Sequence, residues 1–372
     1  MVTLAAIFQH YGPAYRAQYG ERIPLSHRRA MRAIEQCRTP ALGGHVYYCE
    51  QCDTHHYYYH SCRNRHCPQC QTLKGQQWLV DQQALLLPVP YFMLTFTLPG
   101  ALREVARRHQ RLIYDLLFRT SAAATQHLAA DDRFVGGQLG MVGVLHTWGR
   151  NLSYHPHVHY VVPGVGWTPD GQVCLAKRKH FLLPVKALSR IFRAKFRDAL
   201  RDTACWEDIP AVVWQQEWVV HCQPVGCGLP ALKYLAPYIF RVALSNRRIV
   251  KLARNKVTFR YRATDTGVLK TCTVHVREFI RRYLQHVLPR GFVKVRYYGF
   301  LSSGLRRRLA LIRGQLALFA ARQPAVEATP AETANVVTPV ARPVFRCPAC
   351  GHLLRRCASI PPQGRAPPLL HA

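Results

Sequence analysis

Acidic side chains are scarce in this sequence. Across 372 residues, 51 Lys and Arg face 19 Asp and Glu, a formal net charge of +32 with an isoelectric point near 10.2. Residues 133–169 and 218–264 contain no acid at all. That shortage argues against a two-metal nuclease, which needs several carboxylates in its core. It also implies a polyanionic partner, because so basic a chain repels itself, and nucleic acid is the commonest polyanion. A ribosome or a membrane surface is the bland reading of the same charge. No long apolar run is present either. The longest charge-free stretch, Gln82 to Leu102, is interrupted by Pro88, Pro90, Pro99 and Gly100, and its Thr95 and Thr97 alternate with Phe96 and Leu98. It reads as a loop, a buried strand and a turn, not a spanning helix. A secretion signal, a Gly-rich phosphate loop with its Lys and internal repeats are also missing. A cytoplasmic location follows as the expectation, with 14 Cys kept reduced and clustered Cys pointing to metal.

What is present divides the chain. With 49% hydrophobic residues it has material for two or more domains and a sizeable core. Residues 1–80, where Cys, His and Tyr crowd between 37 and 70, read as a small zinc-binding, DNA-docking module. Residues 88–310 have the texture of an α+β domain. Strands are predicted at Tyr91–Leu98, Leu139–Trp148, Tyr154–Val162, Val212–His221 and Lys256–Arg262. The second and third are joined by a polar turn around Arg150 to Ser153, hence antiparallel. Helices are predicted through Leu102–Leu117, Leu188–Leu200, Tyr234–Ser245 and Val276–Val287. Residues 323–345 read as a flexible linker and 346–372 as a Cys-containing tail.

Two Cys-x-x-Cys knuckles, Cys49/Cys52 and Cys67/Cys70, have the spacing of a tetrahedral zinc site that holds together a segment lacking its own core. Cys37, Cys62, His60 and His66 lie near enough to replace a ligand or build another site. Arg63 and Arg65 beside the second knuckle would offer phosphate contacts. In the tail, Cys347, Cys350, His352 and Cys357 are candidates for a zinc site of their own.

His155, His157 and His159 alternate, so on a strand all three imidazoles share one face. Same-face neighbours stand about 7 Å apart, close enough for two to clasp one metal but not three. His157 and His159 are the better pair, because Pro156 disturbs the other. The third ligand is open between His146, His155, Glu217 and His221. Tyr234 and Tyr238 are four residues apart, which on a regular helix puts both phenols on one face. Pro237 between them suggests a helix that begins there, with Tyr234 just before it. From Arg241 to Arg262 the basic residues Arg241, Arg247, Arg248, Lys256, Arg260 and Arg262 have no acidic neighbour to pair with, so phosphate is their expected partner.

Taken together these segments resemble the two-tyrosine HUH transposases of rolling-circle insertion sequences. The resemblance runs from about residue 25 to 300. It rests on Ser61-Cys-Arg-Asn-Arg-His-Cys-Pro-Gln-Cys70, Gly143-Val-Leu-His-Thr-Trp-Gly149, His155-Pro-His-Val-His-Tyr160, Tyr234-Leu-Ala-Pro-Tyr238 with Phe240–Arg248, and Phe279–Gly291. It implies an HUH nuclease-like antiparallel sheet with helices, preceded by the zinc module. It further implies Mg²⁺ or Mn²⁺ on His157 and His159, Tyr234 and Tyr238 as nucleophiles, and structural Zn²⁺. The expected activity is nicking and rejoining of single-stranded DNA at insertion-sequence ends and target, at the nucleoid, through a 5′-phosphotyrosine. A replication initiator or relaxase would share that chemistry. A zinc hydrolase would not need the basic run, and a non-catalytic zinc-finger protein would not need the tyrosines.

Overall fold

A computed structural model describes residues 2–70, 72–239, 243–263, 266–322 and 344–363, with backbone alone for 72, 73, 237, 238 and 322. Arg241, the Tyr238 side chain and all of the expected linker except residues 344 and 345 lie outside the described residues.

The fold is α+β, and every strand pairing among the described residues is antiparallel. Its centre is a five-stranded sheet in the order Val295–Tyr298, Met141–Trp148, Tyr154–Pro163, Tyr91–Thr97, Val220–Pro224. The histidine strand, Tyr154–Pro163, is therefore the middle strand. A tight turn joins it to the preceding strand, the Gly149 N–H donating to the Ser153 carbonyl at 2.8 Å, and a bulge between His146 and Trp148 shifts the pairing by one residue, so that His146 lies opposite His157 and Val144 opposite His159. Alternation then sends Val158, Tyr160 and Val162 into one core, against helices Gln110–Ala129 and Val185–Arg201. Val161 faces the opposite layer, with Val142 and Val144, under helix Leu229–Ile239. Gly143 lies directly across from Tyr160, and a Cβ there would come within 2.5 Å of that ring. Only hydrogen fits, because the Tyr160 hydroxyl is pinned by Ser121 Oγ at 2.8 Å and donates to the Phe118 carbonyl at 3.1 Å.

A second core joins the two ends of the described chain's main body. Phe8 and Ile34, from helices Leu4–Tyr19 and Leu25–Gln36, pack with Phe259, Phe279 and Tyr283 and with Trp148 and Leu152. Over this core lies a three-stranded ribbon, Ile249–Ala253, Lys256–Arg262, Leu269–His275. A third sheet pairs the hairpin Gly44–Cys49/Thr54–Tyr59 with the tail strand Arg355–Ile360. No helix among the described residues is long and apolar enough to cross a membrane.

Three local expectations need correction. Val212–His221 is not one strand. Pro210 accepts the Val213 N–H at its carbonyl and starts a helical turn, Val212–Gln215, and the strand begins only at Val220. The helix expected at Leu102–Leu117 is two, Arg103–Arg108 and Gln110–Ala129, broken at His109. The tyrosine helix runs Leu229–Ile239 rather than Tyr234–Ser245. Its start signal is Gly228, at φ +81°, followed by Pro230 in the first turn, where the missing N–H costs nothing. Pro237 thus falls near the end of the helix, and Tyr234 sits inside it.

Candidate active site and cysteine clusters

His146, His157 and His159 converge, with one ring nitrogen from each within 4.8 Å of the others. Two come from alternate positions on the middle strand and the third from directly across the ladder, so the three form a triangle rather than a row. Ring centroids are 4.7 Å apart for His146 and His159, and 4.8 Å for His157 and His159. His157 Nδ1–H donates to the His155 carbonyl at 2.6 Å. His159 Nδ1 is bonded to Thr95 Oγ1 at 2.8 Å. Both bonds commit Nδ1 and leave Nε2 as the nitrogen for an ion. Burial pushes all three imidazoles down, His146 and His157 well below the ordinary range and His159 to about 4. They are neutral at physiological pH, which is the ligating form.

The other candidates for third ligand stand outside this triangle. His155 Nδ1 meets Arg103 at 3.3 Å, while Glu217 and His221 are exposed and belong to no such cluster among the described residues. Two groups the sequence did not single out support the site. Thr95 was invisible because only strand register puts it beside His159. Lys294 is buried in Phe292-Val-Lys-Val295, a charge inside an apolar run that was available as a signal. Its Nζ lies 4.8 Å over the Trp148 ring, which is itself stacked on His146. Burial lowers its pKa to about 7.

Helix Leu229–Ile239 lays Leu232, Leu235 and Ala236 against the sheet. Tyr234, on the same helix, is 48% exposed, and its ring lies 6.2 Å from that of His159 at an interplanar angle of 89°. Tyr238 follows one turn later on the same helix.

The basic residues separate into two kinds. Lys256, Arg260 and Arg262 are exposed on one face of the ribbon strand, opposite buried Val257 and Phe259, and Arg247 is exposed beside them. Arg248, expected to contact DNA, instead donates to the carbonyls of Arg260, Ala243 and Arg150 at 2.8, 3.0 and 2.6 Å. Its guanidinium is spent on the backbone. Arg65 likewise donates to the Phe292 carbonyl at 2.6 Å.

The expected grouping of the knuckles is also corrected. Cys67 and Cys70 do not meet Cys49 and Cys52; they gather with Cys37 and Cys62. Cys37 ends helix Leu25–Gln36, and its sulfur accepts the Cys62 N–H at 3.4 Å. Cys62 and Cys70 sulfurs are 3.7 Å apart. This cluster abuts the second core. Cys49 and Cys52 gather instead with Cys347 and Cys350, so the tail cysteines do not form a site with His352 and Cys357. His352 and Cys357 are exposed. His66 is no ligand: its Nε2 accepts the Leu288 N–H at 3.1 Å, and its carbonyl accepts the Tyr283 hydroxyl. His60 lies edge-on to His45.

Similarity to known proteins agrees with this layout. Residues 7–98 match the family described as "Transposase zinc-binding domain", and residues 140–308 match the family described as "Putative transposase". The chain is 41% identical over 368 residues to "Putative transposase y4qJ" of Sinorhizobium fredii, covering 93% of this chain and 92% of that protein. It is 29% identical over 284 residues to the transposase for insertion sequence element IS801 of Pseudomonas savastanoi pv. phaseolicola, covering 72% of this chain and 68% of that one. No solved structure matches it. With a zinc-binding domain at its N-terminus, a transposase domain after it and a relative this similar along nearly its whole length, the chain belongs to the IS91/IS801 family of transposases.

Proposed function

We propose that this transposase nicks and rejoins single-stranded DNA at the ends of its element through a 5′-phosphotyrosine. Tyr234 and Tyr238 are the nucleophiles, and His146, His157 and His159 hold a divalent cation. The observation that carries this reading is the Tyr234 ring 6.2 Å from His159 in the three-imidazole triangle. Three neutral imidazoles with no carboxylate fit a transition-metal ion, so the donor set ranks Mn²⁺ above Mg²⁺. Bound there, such a cation would supply charge withdrawal from a phosphate oxygen of the scissile group.

The chain's own residues do the rest. The Tyr234 oxygen forms a bond to phosphorus as the bond from phosphorus to the 3′-oxygen breaks. The phenol gives up its proton to solvent, and the 3′-oxygen takes one up. One phosphoester replaces another, so rejoining needs no ATP. Tyr238 attacks a second end while the first stays attached. Arg247, Lys256, Arg260 and Arg262 carry the strand by phosphate contacts that do not depend on sequence.

The test is a denaturing gel of labelled single-stranded terminal DNA with Mn²⁺, followed by mass spectrometry of the adducted peptide. The double variant Tyr234→Phe/Tyr238→Phe should form no adduct, and either single variant should stop after one cleavage. His157→Ala should lose cleavage and keep DNA binding. Free 5′-phosphates without an adduct would point to metal-activated water instead, and an adduct on any other residue would remove the tyrosine assignment.

A further inference from the structure

The sheet formed by Gly44–Cys49, Thr54–Tyr59 and Arg355–Ile360 has almost nothing to hold it together. Of these three strands only Gly44 and Cys49 are buried, and no residue of theirs belongs to any of the three hydrophobic clusters. Its packing consists of a few aromatic contacts, Phe345 against the rings of Tyr47 and Tyr58 at 4.6 and 4.8 Å between centroids, Tyr47 on Tyr58 at 5.3 Å and Tyr48 on His55 at 5.1 Å. The Arg355–Glu50 ion pair at one edge is exposed, and such pairs contribute little. A small sheet without a core needs a covalent or metal staple.

The staple is at hand. Sulfurs of Cys49, Cys52, Cys347 and Cys350 lie within 4.8 Å of one another, with 3.6 Å from Cys49 to Cys350 and 3.9 Å from Cys52 to Cys347. A tetrahedral ion with Zn–S bonds of about 2.3 Å spaces its sulfurs about 3.8 Å apart. Each pair is a Cys-x-x-Cys turn, and the residue after each, Asp53 and Gly351, takes positive φ, 48° and 75°. All four thiols are free. His56 Nε2 lies 3.5 Å from Cys347 Sγ, placed to support a thiolate.

We infer that Cys49, Cys52, Cys347 and Cys350 bind a second structural zinc ion, separate from that of Cys37, Cys62, Cys67 and Cys70, which fastens the C-terminal segment onto the N-terminal hairpin. Neither knuckle completes a site alone, and the matched zinc-binding region, 7–98, holds only one of them. The inference is independent of the nicking chemistry.

The test is zinc stoichiometry by elemental analysis of the purified full-length protein and its variants. Cys49→Ser/Cys52→Ser should lose one equivalent of zinc relative to wild type. Cys347→Ser/Cys350→Ser should lose the same one, and the quadruple variant should lose no more. Only differences are read, so metal on the histidines does not matter. In wild type, native alkylation mapped by mass spectrometry should modify Cys357 and spare Cys350, although both are exposed, until a chelator is added. Unchanged zinc in Cys347→Ser/Cys350→Ser, losses that add between the two pairs, or equal alkylation of Cys350 and Cys357 before chelation would each overturn the inference.

Discussion

Thr95→Val isolates what holds the histidine triangle in order. Valine keeps the branched shape suited to a strand and removes only the hydroxyl, 2.8 Å from His159 Nδ1. His159 is 8% exposed, so water does not replace the lost partner, and the ring is free to turn or change tautomer. Partners of this kind are worth about 10–100-fold in metal affinity, or about 1.4–2.7 kcal/mol at 1.36 kcal/mol per tenfold. In a nicking assay titrated with Mn²⁺, the half-saturating concentration should rise by that factor, while the rate at saturating Mn²⁺ stays within a few fold of wild type. Thr95→Ser should restore the midpoint. An unchanged midpoint, or a rate that excess Mn²⁺ does not recover, would show that Thr95 does not act through the metal.

Acid should unfold the metal-free protein in a defined window. Burial holds His159 near 4 and His286 near 3, below the unfolded value of about 6.5. The unfolded chain therefore binds more protons as pH falls from about 6.5 to 4, and stability drops with it, by about 3 kcal/mol for His159 alone. Urea denaturation at pH 8, 6.5 and 5 measures this, and equal stability at all three contradicts it. Arg260→Ala should reduce the slope of log affinity for single-stranded DNA against log salt by about 0.7, the share of one phosphate contact. Arg248→Ala should leave that slope alone and lower the thermal midpoint, because its donors hold three carbonyls. Gly143→Ala should cost about 1–3 kcal/mol by overpacking against Tyr160, and an unchanged melting temperature would mean the ring has room to move.

Much of the site was legible because it is local. Alternation in Tyr154–Tyr160 put the histidines on one face, and the short polar turn made the preceding strand antiparallel, so His146 was a named candidate. What separated it from His155, Glu217 and His221 was register, set by a bulge between His146 and Trp148 that the sequence does not announce. Cysteine spacing identified knuckles but not their partners. Cys62 found Cys37, 25 residues earlier, and Cys52 found Cys347, 295 residues later. Counting charges could not separate Arg248 from Arg260, since only the fold shows whether a guanidinium meets carbonyls or solvent. The misread stretch Val212–His221 failed because β-branched residues after Pro210 read as strand, whereas proline starts a helical turn there.

Synthesis runs in one direction, and the strand Gly44–Cys49 leaves the ribosome long before its neighbour Arg355–Ile360 exists. With 295 residues between Cys52 and Cys347, translation at about 5–20 residues per second leaves that edge uncovered for roughly 15 to 60 s. A polypeptide ended early by a stop codon or a shifted frame never receives the strand at all. The N-terminal sheet is thereby completed only when a segment made some 295 residues later arrives to pair with it.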